Sequence, residues 1–240
     1  MEALAKNKMG DIVAQDFRTA AVFSKYGLDF CCGGQRSVED AAAKKGVALD
    51  PLVTELEDVL NAKGGENIDF SAWPSDLLVS YIVKTHHRYV REKTPVLLAY
   101  LNKVARVHGE RHPELIEVNR LFEECALDLG HHLEKEERIL FPFIEALEES
   151  KSHQEKPETP TFGTVKNPIS MMVHEHEAEG DRFERIKELT NNYTVPDDAC
   201  STYRVSFDML REFEQDLHKH IHLENNILFP KSIKLEESLH

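Results

Sequence analysis

The stretch HLEKEERILFP, His132 to Pro142, returns near the end of the chain as HIHLENNILFP, His220 to Pro230. Both keep a His, a Glu four residues later, and the tail Ile-Leu-Phe-Pro. On a helix, positions i and i+4 share a face one turn apart, so each copy presents an imidazole and a carboxylate to a single point. Two such pairs facing one another would make a metal site with nitrogen and oxygen ligands. A lone His-x-x-x-Glu says little in a chain with 13 histidines. The repeated tail is what makes this pair a motif.

Several of these histidines have histidine neighbours, and the apolar periodicity selects among them. In the first long helical stretch a stripe runs through Val79, Val83, His86, Val90, Leu97 and Val104, with His87 beside Ser80, Lys84 and Arg91 on a polar face. The second stripe is Val118, Phe122, Cys125, Leu129, His132, Glu136, Ile139 and Phe143, leaving His131 outside. The third is Ile169, Met172, Val173, His176, Phe183 and Ile186, which leaves out His174. The fourth is Tyr203, Phe207, Leu210, Phe213, Leu217, His220, Glu224, Ile227 and Leu228, which leaves out His218 and His222. His86 precedes His132 by 46 residues and His176 precedes His220 by 44, so the duplication extends over two helical hairpins.

The expected ligand set is therefore His86, His132, Glu136, His176, His220 and Glu224. Each would cost about 1–3 kcal/mol as an uncompensated polar group in a core, and a charge would cost more. Each hairpin offers two His and one Glu, so two ions fit better than one, with the carboxylates as bridges. Nitrogen and oxygen donors without thiolate argue against a closed structural zinc site and allow iron or manganese. A solvent-derived oxo or hydroxo bridge would leave coordination room for a small molecule.

Four long helices must position these groups, about 74–107, 114–149, 168–192 and 198–235, separated by HGERHP, SHQEKPETPTFGTVKNP and NNYTVPDD. Breaks carrying Pro or Gly, with no strand patterns, predict an all-α, up-down four-helix bundle over residues 72–240. Residues 1–65 read as a small domain of short helices, with the boundary placed at roughly 61–71 around the glycine-bearing NAKGGENIDF. A net charge of −14 argues against nucleic acid or an anionic membrane as partner. No apolar run is long enough to span a bilayer, the first residues lack the pattern of a signal peptide, and four cysteines make no disulfide framework. These features lead to the expectation of a cytoplasmic protein.

Within the small domain, YGLDFCCGGQRSVEDAA breaks at Gly33-Gly34 and restarts at Ser37, with Asp40 three residues on as in a capping box. Cys31 and Cys32 lie ahead of that helix start, where backbone N–H groups and the helix dipole would lower a thiol pKa. Such a pair could hold or pass on iron, exchange disulfides or reduce a metal centre, and Cys31 and Cys32 are the candidate catalytic residues. Cys125 reads as packing and Cys200 as having no partner. The acidic residues Glu123, Glu124, Glu134, Glu137, Glu175, Glu177 and Glu179 read as mostly solvated helix faces, of which one or two could line an access path. Glu175, next to His176, is the first candidate for an access path, and Tyr81, Tyr89 and Tyr203 either support the metals or pack.

The inward set, with both Ile-Leu-Phe-Pro tails, resembles the hemerythrin-like domain of the repair-of-iron-centres proteins, the di-iron iron-sulfur cluster repair family. The Tyr-Gly-Leu-Asp-Phe-Cys-Cys-Gly-Gly stretch is similar to their ScdA-type amino-terminal domain, so the likeness covers nearly the whole chain. It implies two non-haem Fe ions held by those six residues, in a cytoplasmic stress-response protein. Such a protein would restore iron-sulfur clusters damaged by nitric oxide or peroxide, by donating iron or by binding or reducing nitric oxide. Damaged iron-sulfur proteins and small molecules would be its partners, and a homodimer is left open. The alternative is a hemerythrin-like oxygen, nitric oxide or iron sensor without repair activity.

Overall fold

The computed structural model describes residues 2–62 and 68–239. Among these residues there is no strand, only an isolated bridge between Lys8 and Ser37. Part of the expected domain boundary, residues 63–67, lies outside the described residues. The chain divides into two compact units.

The first unit comprises residues 1–78, 147–157 and 219–240. Its short helices are α1 (Glu2–Lys6), α2 (Met9–Gln15), α3 (Thr19–Lys25), α4 (Val38–Lys45) and α5 (Leu49–Asn61). They pack through Met9, Ile12, Val13, Phe23, Val38, Leu52 and Leu56, all buried. Ser37 caps α4 by accepting from the Asp40 N–H at 3.1 Å, the first half of the expected capping box, while its hydroxyl donates to the Asp40 carboxylate. Gly46 closes α4 at φ 71°, a left-handed conformation that glycine adopts without strain.

The second unit comprises residues 79–146 and 158–218. Four rods run through it. The first is α6 (Ser75–Ile82), which continues through a wide turn Val83–His87 into α7 (Arg88–His108). The second is α8 (Glu114–Lys135), continuing through Glu136–Leu140 into α9 (Phe141–His153). The third is α10 (Lys166–Leu189), and the fourth is α11 (Ser201–Leu223); the turn Glu224–Leu228 and α12 (Phe229–Leu239) that follow it belong to the first unit. Within the unit α8 packs on α7 and α10. Phe122, Phe183 and Phe213 meet at its centre with ring centroids 5.2–6.5 Å apart, tying α8, α10 and α11 together. Tyr89 reaches Phe213 from α7. The third rod ends where Asn191, Asn192 and Tyr193 take positive φ in succession.

The wide turns are π-helical, with one more residue per hydrogen-bonded ring than an α-helix. The Arg88 N–H bonds Val83 O, Phe141 bonds Glu136 O and Phe229 bonds Glu224 O, each five residues back. Two of the three have a visible cause in the repeated tail. Pro142 and Pro230 have no N–H, and in an α-helix their rings would strike the carbonyls of Arg138 and Asn226, four residues earlier. Widening the preceding turn relieves that clash.

Candidate metal centre

In the second unit, α8, its wide turn and α10 bring His132, Glu136 and His176 together, with candidate ligand atoms within 4.8 Å of one another. All three are buried. His132 Nε2 lies 3.0 Å from His176 Nε2 and 3.3 Å from Glu136 Oε2. His87 joins them from the end of its wide turn, with Nε2 3.4 Å from Glu136 Oε2 and its ring stacked on Phe141.

What lies behind the rings is equally ordered. His132 Nδ1 meets the Glu175 carboxylate at 2.8 Å, and Lys135 pairs with the same carboxylate. Hydrogen bonding with His132 foremost, with help from Lys135, holds the Glu175 pKa at about 2. His87 Nδ1 meets Glu137 at 2.7 Å, and Arg91 pairs with that carboxylate at 2.8 Å. An anionic acceptor at Nδ1 fixes the proton there and leaves Nε2 as a lone-pair donor, the arrangement that metal-binding histidines use. Two imidazole Nε2 atoms and a carboxylate converging in a buried space fit a metal ion of borderline or hard character such as iron.

In the first unit, His220 Nε2 lies 2.9 Å from Glu224 Oε1, and both side chains are buried. The expected pairing within the second His-x-x-x-Glu is thus present. On the opposite side of the same turn sits the cysteine loop. Asp29 Oδ1 accepts from the N–H groups of Cys31 at 3.0 Å and Cys32 at 2.9 Å, and Oδ2 accepts from Gly33 at 2.9 Å. The two sulfurs are 3.8 Å apart, Cys31 is buried, and Asp29, Cys31 and Cys32 form a further cluster of metal-ligating types.

Several expectations are corrected here. His86 is buried, with its Nδ1 2.9 Å from the Asp216 carboxylate and its ring against Tyr81, and it is His87, assigned to the polar face, whose Nε2 lies beside Glu136. The reason is the wide turn Val83–His87: one extra residue breaks the α-helical count carried forward from Val79. The same effect after Glu136 exposes Ile139 and buries Leu140, Phe141, Ile144 and Leu147, with Phe143 only half-buried. His222, expected on a polar face, is buried between the rings of Phe17 and Phe30, each 5.9 Å away, because short helices of the first unit cover that side of the rod. Burial lowers its pKa to about 3, keeping it neutral.

The thiols also depart from expectation. Hydrogen bonding to Cys32, together with burial and the nearby Asp29 charge, pushes the Cys31 thiol up. Asp29 has taken the loop N–H groups that were expected to stabilise a thiolate. Glu137 and Glu179 are not solvated faces. The first orients His87, and the second is buried beside Arg182 with its pKa raised by burial. Glu179 lies three residues after His176, so the helical register already placed it on the inner face. Cys200 has a neighbour, His108 Nε2 at 3.2 Å. His131 and His174 are exposed, as the periodicity required.

Residues 78–232 match the hemerythrin HHE cation binding domain, and residues 5–60 match ScdA_N, a domain of unknown function designated DUF542. Fold and site together therefore define a hemerythrin-type helical cation-binding protein with an added amino-terminal domain. At full length the agreement is more particular, and the chain belongs to the iron-sulfur cluster repair family. It is 35% identical over 235 residues to the iron-sulfur cluster repair protein YtfE of Musicola paradisiaca, covering 96% of this chain and 98% of that one. It is 33% identical over 224 residues to the iron-sulfur cluster repair protein ScdA of Staphylococcus haemolyticus, covering 93% and 96%. A probable iron-sulfur cluster repair protein of Haemophilus influenzae is 34% identical over 230 residues, with 95% and 97% covered.

Proposed function

We propose that this chain repairs damaged iron-sulfur clusters with a two-iron centre held by His87, His132, Glu136, His176, His220 and Glu224. His87, not its neighbour His86, supplies the ligand of the first rod in this reading. The observation that carries this reading is the convergence of His132 Nε2, His176 Nε2 and Glu136, with His132 turned inward by Glu175. His87 is held the same way by Glu137. The stripe of α11 continues through Leu217 to His220 and Glu224, which supply the second His and Glu of the duplicated motif.

Bound iron would supply redox capacity and open coordination for nitric oxide or peroxide. The chain's own groups do the rest. Glu175 and Glu137 fix the proton on Nδ1 of His132 and His87, and the buried apolar walls exclude water. Cys31 and Cys32 offer a neighbouring thiol pair for iron transfer or reduction. The damaged cluster protein is the client, and the cytoplasm is the proposed location. No described helix is long and apolar enough to cross a membrane.

The test mixes the iron-loaded chain with an enzyme whose cluster has been nitrosylated, and follows both regained activity and the fate of the iron. Wild-type chain carrying two irons should restore activity, and His132→Ala and Glu136→Ala should lose iron and restoration together. Equal restoration by the metal-free chain would overturn the proposal.

A further inference from the structure

The amino-terminal cysteine loop and the turn that carries Glu224 are joined chiefly through Asn226. Asn226 Nδ2 donates to Phe30 O at 3.2 Å and to Cys31 O at 3.1 Å, two consecutive carbonyls of the thiol loop. Asn225 Nδ2 adds a longer contact of 3.4 Å to Cys31 O, and Gln35 Nε2 reaches Asn226 Oδ1 at 3.5 Å. The carboxamide sits in a slot with glycine walls. A Cβ at Gly10 would lie 2.4 Å from Asn226 Oδ1, and one at Gly34 would lie 2.5 Å from the same atom. The walls are themselves tied, since the Gly10 N–H donates to Gly34 O at 2.8 Å.

Asn226 is two residues past Glu224 on the same wide turn, and residues two apart on a helix point to opposite sides. The turn therefore carries a buried carboxylate on one face and the loop's anchor on the other. The chemistry of the anchor is specific. An aspartate of the same shape has no N–H to give and would set negative charge against two carbonyl oxygens. A glutamine is one methylene too long for the slot.

We propose that Asn226 is the positioning residue that couples the Cys31–Cys32 loop to the Glu224 turn, so that the thiol pair and this candidate ligand move as one body. The inference rests on the reading above only where it concerns repair. The coupling itself is a property of the first unit.

The test uses the full iron-loaded chain with Asn226→Asp and, separately, Gly10→Ala, whose added Cβ would strike the Asn226 carboxamide. Labelling of each cysteine by N-ethylmaleimide is timed by mass spectrometry, alongside iron content and recovery of a nitrosylated cluster enzyme. Losing two hydrogen bonds and gaining a repulsion should speed Cys31 labelling about tenfold in Asn226→Asp. Cys125 should stay unlabelled and Cys200 should keep its rate, which marks the release as local. Cys31 rates within twofold of wild type in both variants would overturn the coupling. Fast Cys31 labelling with undiminished recovery would support the coupling and instead refute a role for the thiols in repair. Where Cys125 labelling shows that a variant has unfolded, hydrogen exchange on the wild-type chain decides. Residues 29–34 and 224–228 should open with equal protection, and loop amides that exchange independently of the turn would overturn the proposal.

Discussion

Replacing Glu175 with Gln tests how much of the metal affinity is held outside the ligand set. Gln keeps the size of the side chain and can still accept from His132 Nδ1, now 2.8 Å from the carboxylate, but removes the charge shared by His132 and Lys135. A hydrogen bond to a charged group is worth about 1.5–3 kcal/mol and a neutral one about 0.5–1.5 kcal/mol, so the change costs roughly 1–1.5 kcal/mol of orientation and basicity. Substitutions of this kind lower metal affinity about 10–100-fold, which corresponds to about 1.4–2.7 kcal/mol. The two routes meet near a tenfold loss. The assay is anaerobic competition for ferrous iron against a chromophoric chelator, with Glu177→Gln as control because Glu177 is exposed and lies near the exposed His174. An affinity for Glu175→Gln within twofold of wild type, matching the control, would refute the argument that His132 is held by its outer carboxylate.

Other outcomes follow from the same geometry. His87→Ala should remove bound iron measurably, whereas His86→Ala should leave iron content near wild type while lowering the denaturant midpoint, both read by metal analysis and urea unfolding. Phe213→Ala, which removes a ring in contact with Phe122, Phe183 and Tyr89, should cost about 3–5 kcal/mol of stability in equilibrium unfolding. Ser37→Ala removes the cap of α4 and should cost about 1 kcal/mol, seen as faster hydrogen exchange in residues 38–45. In the native chain Cys200 should be the first thiol alkylated and Cys125 the last, since the former is exposed and the latter fully buried.

Much of this architecture is visible in a single sequence. The apolar stripes of α7, α8, α10 and α11 locate the rods, and they correctly set His131 and His174 outside. The choice between His86 and His87 depends on the wide turn Val83–His87, because counting by 3.6 presumes an unbroken α-helix. The hairpin spacing held a clue. His87 precedes His132 by 45 residues, closer to the 44 of His176 and His220 than the 46 of His86. His222 was illegible for a different reason. Periodicity within one helix shows one buried face, and the second face of this rod is covered by Phe17 and Phe30, nearly 200 residues earlier. The thiol environment depended on where Asp29 turns its carboxylate, which spacing alone does not reveal.

The wide turns also bear on any attempt to rebuild this protein from ideal parts. A designer who drew the second rod as a regular α-helix would carry the His132–Glu136 face forward onto Ile139 and Phe143, the positions that the natural rod exposes or only half covers. Each residue advances an α-helix by about 100°. Straightening the turn without removing a residue would therefore swing Phe141, Ile144 and Leu147 out of their packing while leaving His132 in place, whereas deleting one residue between Glu136 and Leu140 along with the wide turn would restore them to the Glu136 face. In a minimal scaffold the wide turn and its extra residue thus go together, and a straightened copy of the same length would keep its first ligands while losing the packing behind them.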